Sequence, residues 1–191
     1  AELLRHLGAP PPAGEAPAAA RPGIQASLPA TESGELSALI QQADSARSSG
    51  RLEEAEPHFK RAIELASRGK GAMDTGLALA LDGLGLLYQD LGRHAEAEAQ
   101  HRRALAIFED KLGPDHPNAI QSTVNLGIAA LHQRKHLEAE RLIQRALSIY
   151  QRTSPPPDGR VAAAHDALAG VYRSQRRFDR AAESYKAALD I

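Results

Sequence analysis

The chain has no cysteine, which excludes disulfides and cysteine-ligated zinc; cytosolic proteins need neither, so compartment stays open on this ground. It also has no excess of either charge. Its 23 Lys and Arg against 24 Asp and Glu leave a formal net charge of −1, without the electrostatic footprint of a protein that binds nucleic acid or an anionic membrane. No apolar run approaches the roughly 18 to 20 residues that cross a bilayer. Glycine is scattered, with neither Gly-x-x-x-x-Gly-Lys-Ser/Thr nor Gly-x-Gly-x-x-Gly present, so no phosphate-cradling loop is expected. Residue 1 is Ala, so an initiator Met or signal peptide has been removed or was never included. The default expectation is a cytoplasmic protein, with a secreted or periplasmic parent left open.

What the chain does have is repetition. Small residues recur at Ala43, Gly85, Gly127 and Ala169, always 42 apart. Ala55, Ala97, Ala139 and Ala181 keep the same spacing, as do Ala62, Ala104, Ala146 and Ala188. A fixed period in this range signals stacked supersecondary units, none of which buries its apolar face alone. Within a unit, Leu77, Leu81, Leu84 and Tyr88 form one helical stripe, and Ala97, Ala104, Leu105 and Phe108 a second, with Gly92-Arg93-His94 between them. Leu112-Gly113-Pro114-Asp115-His116-Pro117 closes that unit, and Arg68 to Gly71 and Ser154 to Gly159 break the chain at the other boundaries. Gly85 and Gly127 each cost about 0.5–1 kcal/mol inside a helix relative to alanine, which implies close packing there.

The expected fold is therefore all-α: a right-handed solenoid of about four helix-turn-helix repeats, near 34–73, 74–116, 117–158 and 159–191, the last truncated. Residues 1–33 precede it as an Ala/Pro-rich flexible linker, holding six of the twelve prolines between Pro10 and Pro29. Gln42 stands where the later repeats have Leu84, Leu126 and Leu168, which suits an end helix facing solvent. His165, opposite Leu81 in repeat two, is expected to be a buried, satisfied imidazole. The Arg-rich stretches, His101-Arg102-Arg103 among them, are expected to be solvated faces.

Leu84-Gly85, Tyr88, Ala97 and Ala104-Leu105 resemble the tetratricopeptide repeat, whose basic unit is about 34 residues. The longer period here is similar to the repeats of kinesin light chains and their bacterial relatives. The marks of that form are Leu112 to Pro117 leading into Val124-Asn125-Leu126, and Gly50 to Pro57 leading into Lys60-Arg61-Ala62-Ile63. The resemblance covers residues 35–191 and implies a fold more than a function.

No catalytic constellation emerges, and neither a cofactor nor a metal is expected. His132 and His136 are four apart, but the turn near Arg134 falls between them. In such a solenoid the first helix of each repeat lines the concave face. That assigns Asp82, Leu86 and Gln89 to the groove from repeat two, with Gln121, Val124, Asn125, Ile128, Leu131 and His132 from repeat three. Asp166 and Arg173 join them from repeat four. Val124, Ile128, Leu131 and Leu86 are expected to form an exposed apolar strip, unless they merely pack against the adjoining helices. The family resemblance implies that Asn125 holds a bound peptide's backbone; Gln41, Gly83 and Ala167 stand at the same place in the other repeats.

The expectation is thus a non-catalytic scaffold for protein–protein interaction, its groove taking an extended peptide segment or a partner protein. The alternative is a regulatory or sensor arm of a larger signalling protein, with an ATPase or caspase-like peptidase elsewhere in the parent chain. A catalytic repeat protein would have to use Asp82, His132 and Asp166. Neither nucleic acid nor membrane is expected as a partner, and self-association through the solenoid ends, at Phe178, Tyr185 and Leu189, is left open.

Overall fold

The computed structural model describes residues 30–69, 74–153 and 159–191. The predicted linker up to residue 29, and most of the breaks near residue 70 and at 154–158, lie outside the described residues. Eight helices follow in order: α1 (Ala30–Ser48), α2 (Leu52–Arg68), α3 (Asp74–Asp90), α4 (His94–Leu112), α5 (Pro117–His132), α6 (His136–Arg152), α7 (Gly159–Ser174) and α8 (Phe178–Leu189). They pair as α1/α2, α3/α4, α5/α6 and α7/α8. The first helix begins at Ala30, four residues before the array was expected to start.

Each helix pair turns on one backbone device. Gly50, Gly92, Arg134 and Arg176, again 42 apart, all have positive φ, between 59° and 75°. The next amide reaches back to close each helix end, from Arg51 to Ala46 O, Arg93 to Tyr88 O, Lys135 to Ala130 O and Arg177 to Tyr172 O, at 2.8–2.9 Å. Glycine adopts that conformation without steric cost; repeats three and four hold arginine in it. The long loop before α5 ends in a cap, where Asn118 N–H donates to His116 Nδ1 (3.2 Å) and Pro117 fills a first-turn position that has no backbone bond to lose.

Packing sets the curvature. Successive odd helices pack backbone against backbone, α1 on α3, α3 on α5 and α5 on α7, while the even helices stand farther apart and meet only through long side chains, as Arg102 of α4 does with Glu138 of α6 (3.1 Å). The odd helices therefore form the tight inner layer and the even ones the spread outer layer. Buried apolar clusters run along the stack and interlock across repeats. Phe59 and Phe108 are essentially inaccessible, each worth about 1.5–3 kcal/mol of burial.

The glycines are where helices approach. A Cβ on Gly83 would lie 2.3 Å from the Phe59 ring, one on Gly85 2.6 Å from the His101 ring, and one on Gly127 2.7 Å from Ile143 Cγ1. His101 is thus fully buried and not part of a solvated face, as its arginine neighbours suggested. It takes the place that Phe59 and Ile143 occupy in the flanking repeats, so its column was apolar and bulky throughout. His165 is only half-buried, lying among Leu168, Tyr172, Arg180 and Glu183 between α7 and α8; burial depresses its pKa. Gln42 is exposed on α1.

A column of glutamates staples the repeats. Arg93 reaches back to Glu56 (3.0 Å), Lys135 to Glu98 (2.5 Å) and Arg177 to Glu140 (2.9 Å), each across 37 residues. Burial would raise the Glu98 carboxyl, but bonds from Lys135, Arg102 and Gln133 outweigh it and hold the pKa at about 2. Burial likewise opposes, and bonds from Gln175 and Arg177 overcome, in a lowered Glu140. Glu56 is lowered first by Lys60 and then by Arg93, against burial. Arg93 and Arg177 also lie over the rings of Tyr88 and Tyr172, at 4.1 and 4.5 Å.

Candidate partner-binding groove

The inner layer presents one row of side chains from each odd helix. From α3 it offers Leu79, Asp82, Leu86 and Gln89, because residues three and four apart share a helix face. Leu79 is 45% exposed, and Leu86 is half-buried. From α5 it offers Gln121, Ile128 and Leu131, all half-buried, with Ile128 and Leu131 packed against the core of the last two repeats. Leu131 Cδ2 also lies 3.6 Å from where a Cβ on Gly170 of α7 would stand. From α7, Asp166 and Arg173 are exposed.

Val124 does not join this row. It is 2% exposed and belongs to the core, so the apolar strip is narrower than its sequence spacing suggested and consists of Leu79, Leu86, Ile128 and Leu131.

Asn125 is also buried, and both ends of its amide are engaged. Its Nδ2 donates to Asp82 Oδ2 (3.1 Å), and Gln121 Nε2 donates to its Oδ1 (3.0 Å). Gln89 Nε2 donates to its backbone carbonyl (3.0 Å). The side chain expected to hold a ligand's backbone is thus engaged within the protein.

Asp82 is the hub of this network. Beside the Asn125 bond, its Oδ1 accepts from His101 Nδ1–H (2.7 Å) and from Ser122 Oγ–H (2.9 Å). His101 and Ser122 are fully buried, and the Asp82 side chain is 15% exposed. One carboxylate therefore ties α3, α4 and α5 together. Sequence reasoning placed Asp82 in the groove but missed His101 and Ser122, which are silent until the helices are packed.

At the edge of the inner layer the His132 ring stacks on His94, with centroids 4.5 Å apart and planes 11° from parallel. Burial, and then the neighbouring His94 charge, depress the His132 pKa. His136 instead meets Ser174 Oγ (2.9 Å), so His132 and His136 face different partners. Among the described residues no three His, Asp or Glu side chains converge as metal ligands, and no helix is long and apolar enough to cross a membrane.

Paired helices stacked in one direction, with a continuous inner layer and a staple at every boundary, define an α-solenoid of helix-turn-helix repeats. The tetratricopeptide repeat profile matches residues 34–110, 76–152 and 121–191; the chain belongs to the tetratricopeptide repeat family. Its fold is similar to that of BtubC from P. vanneervenii (TM-score 0.72, 19% identity, 81% of this chain and 62% of that one). It is similar too to a Podospora anserina protein described as a kinesin light chain with nearly identical TPR-like repeats (TM-score 0.71, 19% identity, 81% and 73%). Aspartyl phosphate phosphatase F from Bacillus subtilis shares the fold at 14% identity and TM-score 0.70, over 82% of this chain and 40% of that one. The chain thus spans less than two thirds of BtubC and of the phosphatase. Comparison with curated proteins returns no significant match.

Proposed function

We propose that the array is a non-catalytic protein-interaction scaffold whose inner groove holds an extended segment of a partner. The observation that carries this is the half-exposed row Leu79, Leu86, Ile128 and Leu131 on the inner layer. It lies beside two half-buried glutamines, Gln89 and Gln121, whose amide nitrogens are fixed on Asn125. Apolar anchors beside fixed hydrogen-bonding groups suit a peptide whose side chains and backbone are read together. His132, Asp166 and Arg173 flank the row and set the electrostatics of its far end.

The test is capture of a displayed random dodecapeptide library by the full chain, beside Leu131→Glu and Leu79→Glu. Both variants are expected to keep the helical circular dichroism signal and to lose capture by at least tenfold. Leu79 stands largely clear of the core, so its variant separates groove chemistry from folding. Undiminished capture by both variants would sink the reading. A second reading, a regulatory arm within a longer chain, draws on phosphatase F, of which the matching part is 40% of the chain. Capture of a folded domain but of no peptide would favour that arm.

A further inference from the structure

Asp82 is more elaborately held than packing alone requires. Four positions meet at each boundary between repeats, and in the flanking boundaries they are apolar. Between repeats one and two they are Ile40, Phe59, Ala80 and Gly83; between three and four, Val124, Ile143, Ala164 and Ala167. Only between repeats two and three do they become Asp82, His101, Ser122 and Asn125. A neutral acceptor would have satisfied those three donors. A carboxylate brings a charge as well, and partly burying a charge is costly unless it is compensated. None of the three donors is a lysine or arginine; His101 alone could match the charge, and only when protonated.

The carboxylate is also not saturated. It has about four lone-pair sites, and three are taken, two on Oδ1 and one on Oδ2. Its remaining acceptor lies on Oδ2, and the side chain is partly open on the inner layer between Leu79 and Leu86. Asp44 of α1 lies near enough to feel it: burial raises the Asp44 carboxyl, Arg47 opposes, and the Asp82 charge raises it further. Arg47, the guanidinium at this end, is already committed to Asp90 (3.0 Å) and leans on Asp44 (3.9 Å). Arg47 thus meets two carboxylates, Asp44 and Asp90, and no cation contacts the third, Asp82, apart from its bond with His101.

From this geometry we infer that Asp82 is the groove's receptor for a cationic side chain, and that the partner segment carries a lysine or arginine there, flanked by apolar residues that rest on Leu79 and Leu86. His101, Ser122 and Asn125 act as positioning residues that fix the carboxylate before the ligand arrives, which lowers the ordering cost of binding. The inference rests on the groove reading above and names the chemistry of its ligand.

The same dodecapeptide library tests it, sequenced after selection on the full chain. A basic residue enriched at one position, beside apolar residues, is the expected result. Replacing that residue by norleucine in a synthetic peptide should weaken binding roughly tenfold in fluorescence anisotropy, as for loss of a charge-assisted hydrogen bond. Asp44→Asn, which lies outside the Asp82 network, should shrink that difference to about threefold without moving the thermal midpoint, and 0.5 M salt should do the same. Asp82→Asn should abolish the preference for a basic residue; if it unfolds the array, the Asp44 and salt measurements still decide. An enriched motif with no basic residue, or a norleucine peptide that binds equally well, overturns the Asp82 assignment and leaves the groove reading standing. No enrichment by the full chain overturns both.

Discussion

The boundary between repeats two and three and the boundary between three and four are built on the same four positions from opposite chemistry. One joins Asp82, His101, Ser122 and Asn125 by hydrogen bonds; the other packs Val124, Ile143, Ala164 and Ala167 as plain core. The glutamate staple is common to both, so the interior carries the main contrast. Apolar contacts tolerate small slips and substitutions, whereas a polar cluster is stable only when every partner is in place. Repeats built on one pattern risk stacking in the wrong order, and one polar boundary among apolar ones gives the central pair a partner that no other pair can replace.

The comparison breaks most sharply at Asp82. Asp82→Leu strands three buried donors and should cost about 3–5 kcal/mol in urea unfolding. The combined variant Asp82→Val, His101→Ile, Ser122→Ala and Asn125→Ala copies the flanking boundary into the centre. It should recover most or all of that loss, since a fully apolar replacement of a buried polar cluster is often neutral or better. Failure of the combined variant to exceed the single one would mean that the two boundaries are not interchangeable in shape. Next come the paired glycines. Gly85→Ala pushes against an imidazole pinned by Asp82 and should cost about 2–3 kcal/mol, whereas at Gly127→Ala the Ile143 side chain is held by packing without a hydrogen bond and the loss should be about 1–2 kcal/mol. Equal losses would show that the hydrogen bond does not stiffen the site.

Acid tests the part the boundaries share. The Glu98 carboxyl has a folded pKa of about 2 against an ordinary 4.5, and Glu56 and Glu140 are shifted the same way. A lowered carboxylate contributes stability that is fully present above its unfolded value and is lost as pH falls through the folded one. The thermal midpoint should therefore decline between about pH 5 and pH 2, and Glu98→Gln should flatten part of that slope. The smallest effect belongs to the turns. Arg134→Gly and Arg176→Gly should each leave the fold intact and raise stability by up to about 1 kcal/mol, relieving arginine at positive φ. A loss at either would mean that the arginine side chain supports the turn.

Much of this architecture was legible in the spacing. The 42-residue columns predicted the helix pairs and the close approach at Gly85 and Gly127, and the family resemblance implied which helix of each pair lies inside. The same columns held further information that composition obscured. His101 sits in line with Phe59 and Ile143, so its burial follows from register, although Arg102 and Arg103 beside it suggested solvent. The groove was harder. Whether Asn125 is free depends on Asp82 on another helix, 43 residues away, and whether Val124 is exposed depends on how tightly α7 settles on α5. Both are properties of packing between repeats, which a stripe on a single helix does not contain.

A stack of repeats is also a spring, and its compliance resides in the boundaries. Hydrogen bonds are directional and lose strength with small rotations, while apolar burial is non-directional. The Asp82 cluster thus adds to the middle coil a directional restraint that the interiors of the outer boundaries lack. A ligand gripping the groove would find its centre already shaped, and would wind the two ends around itself.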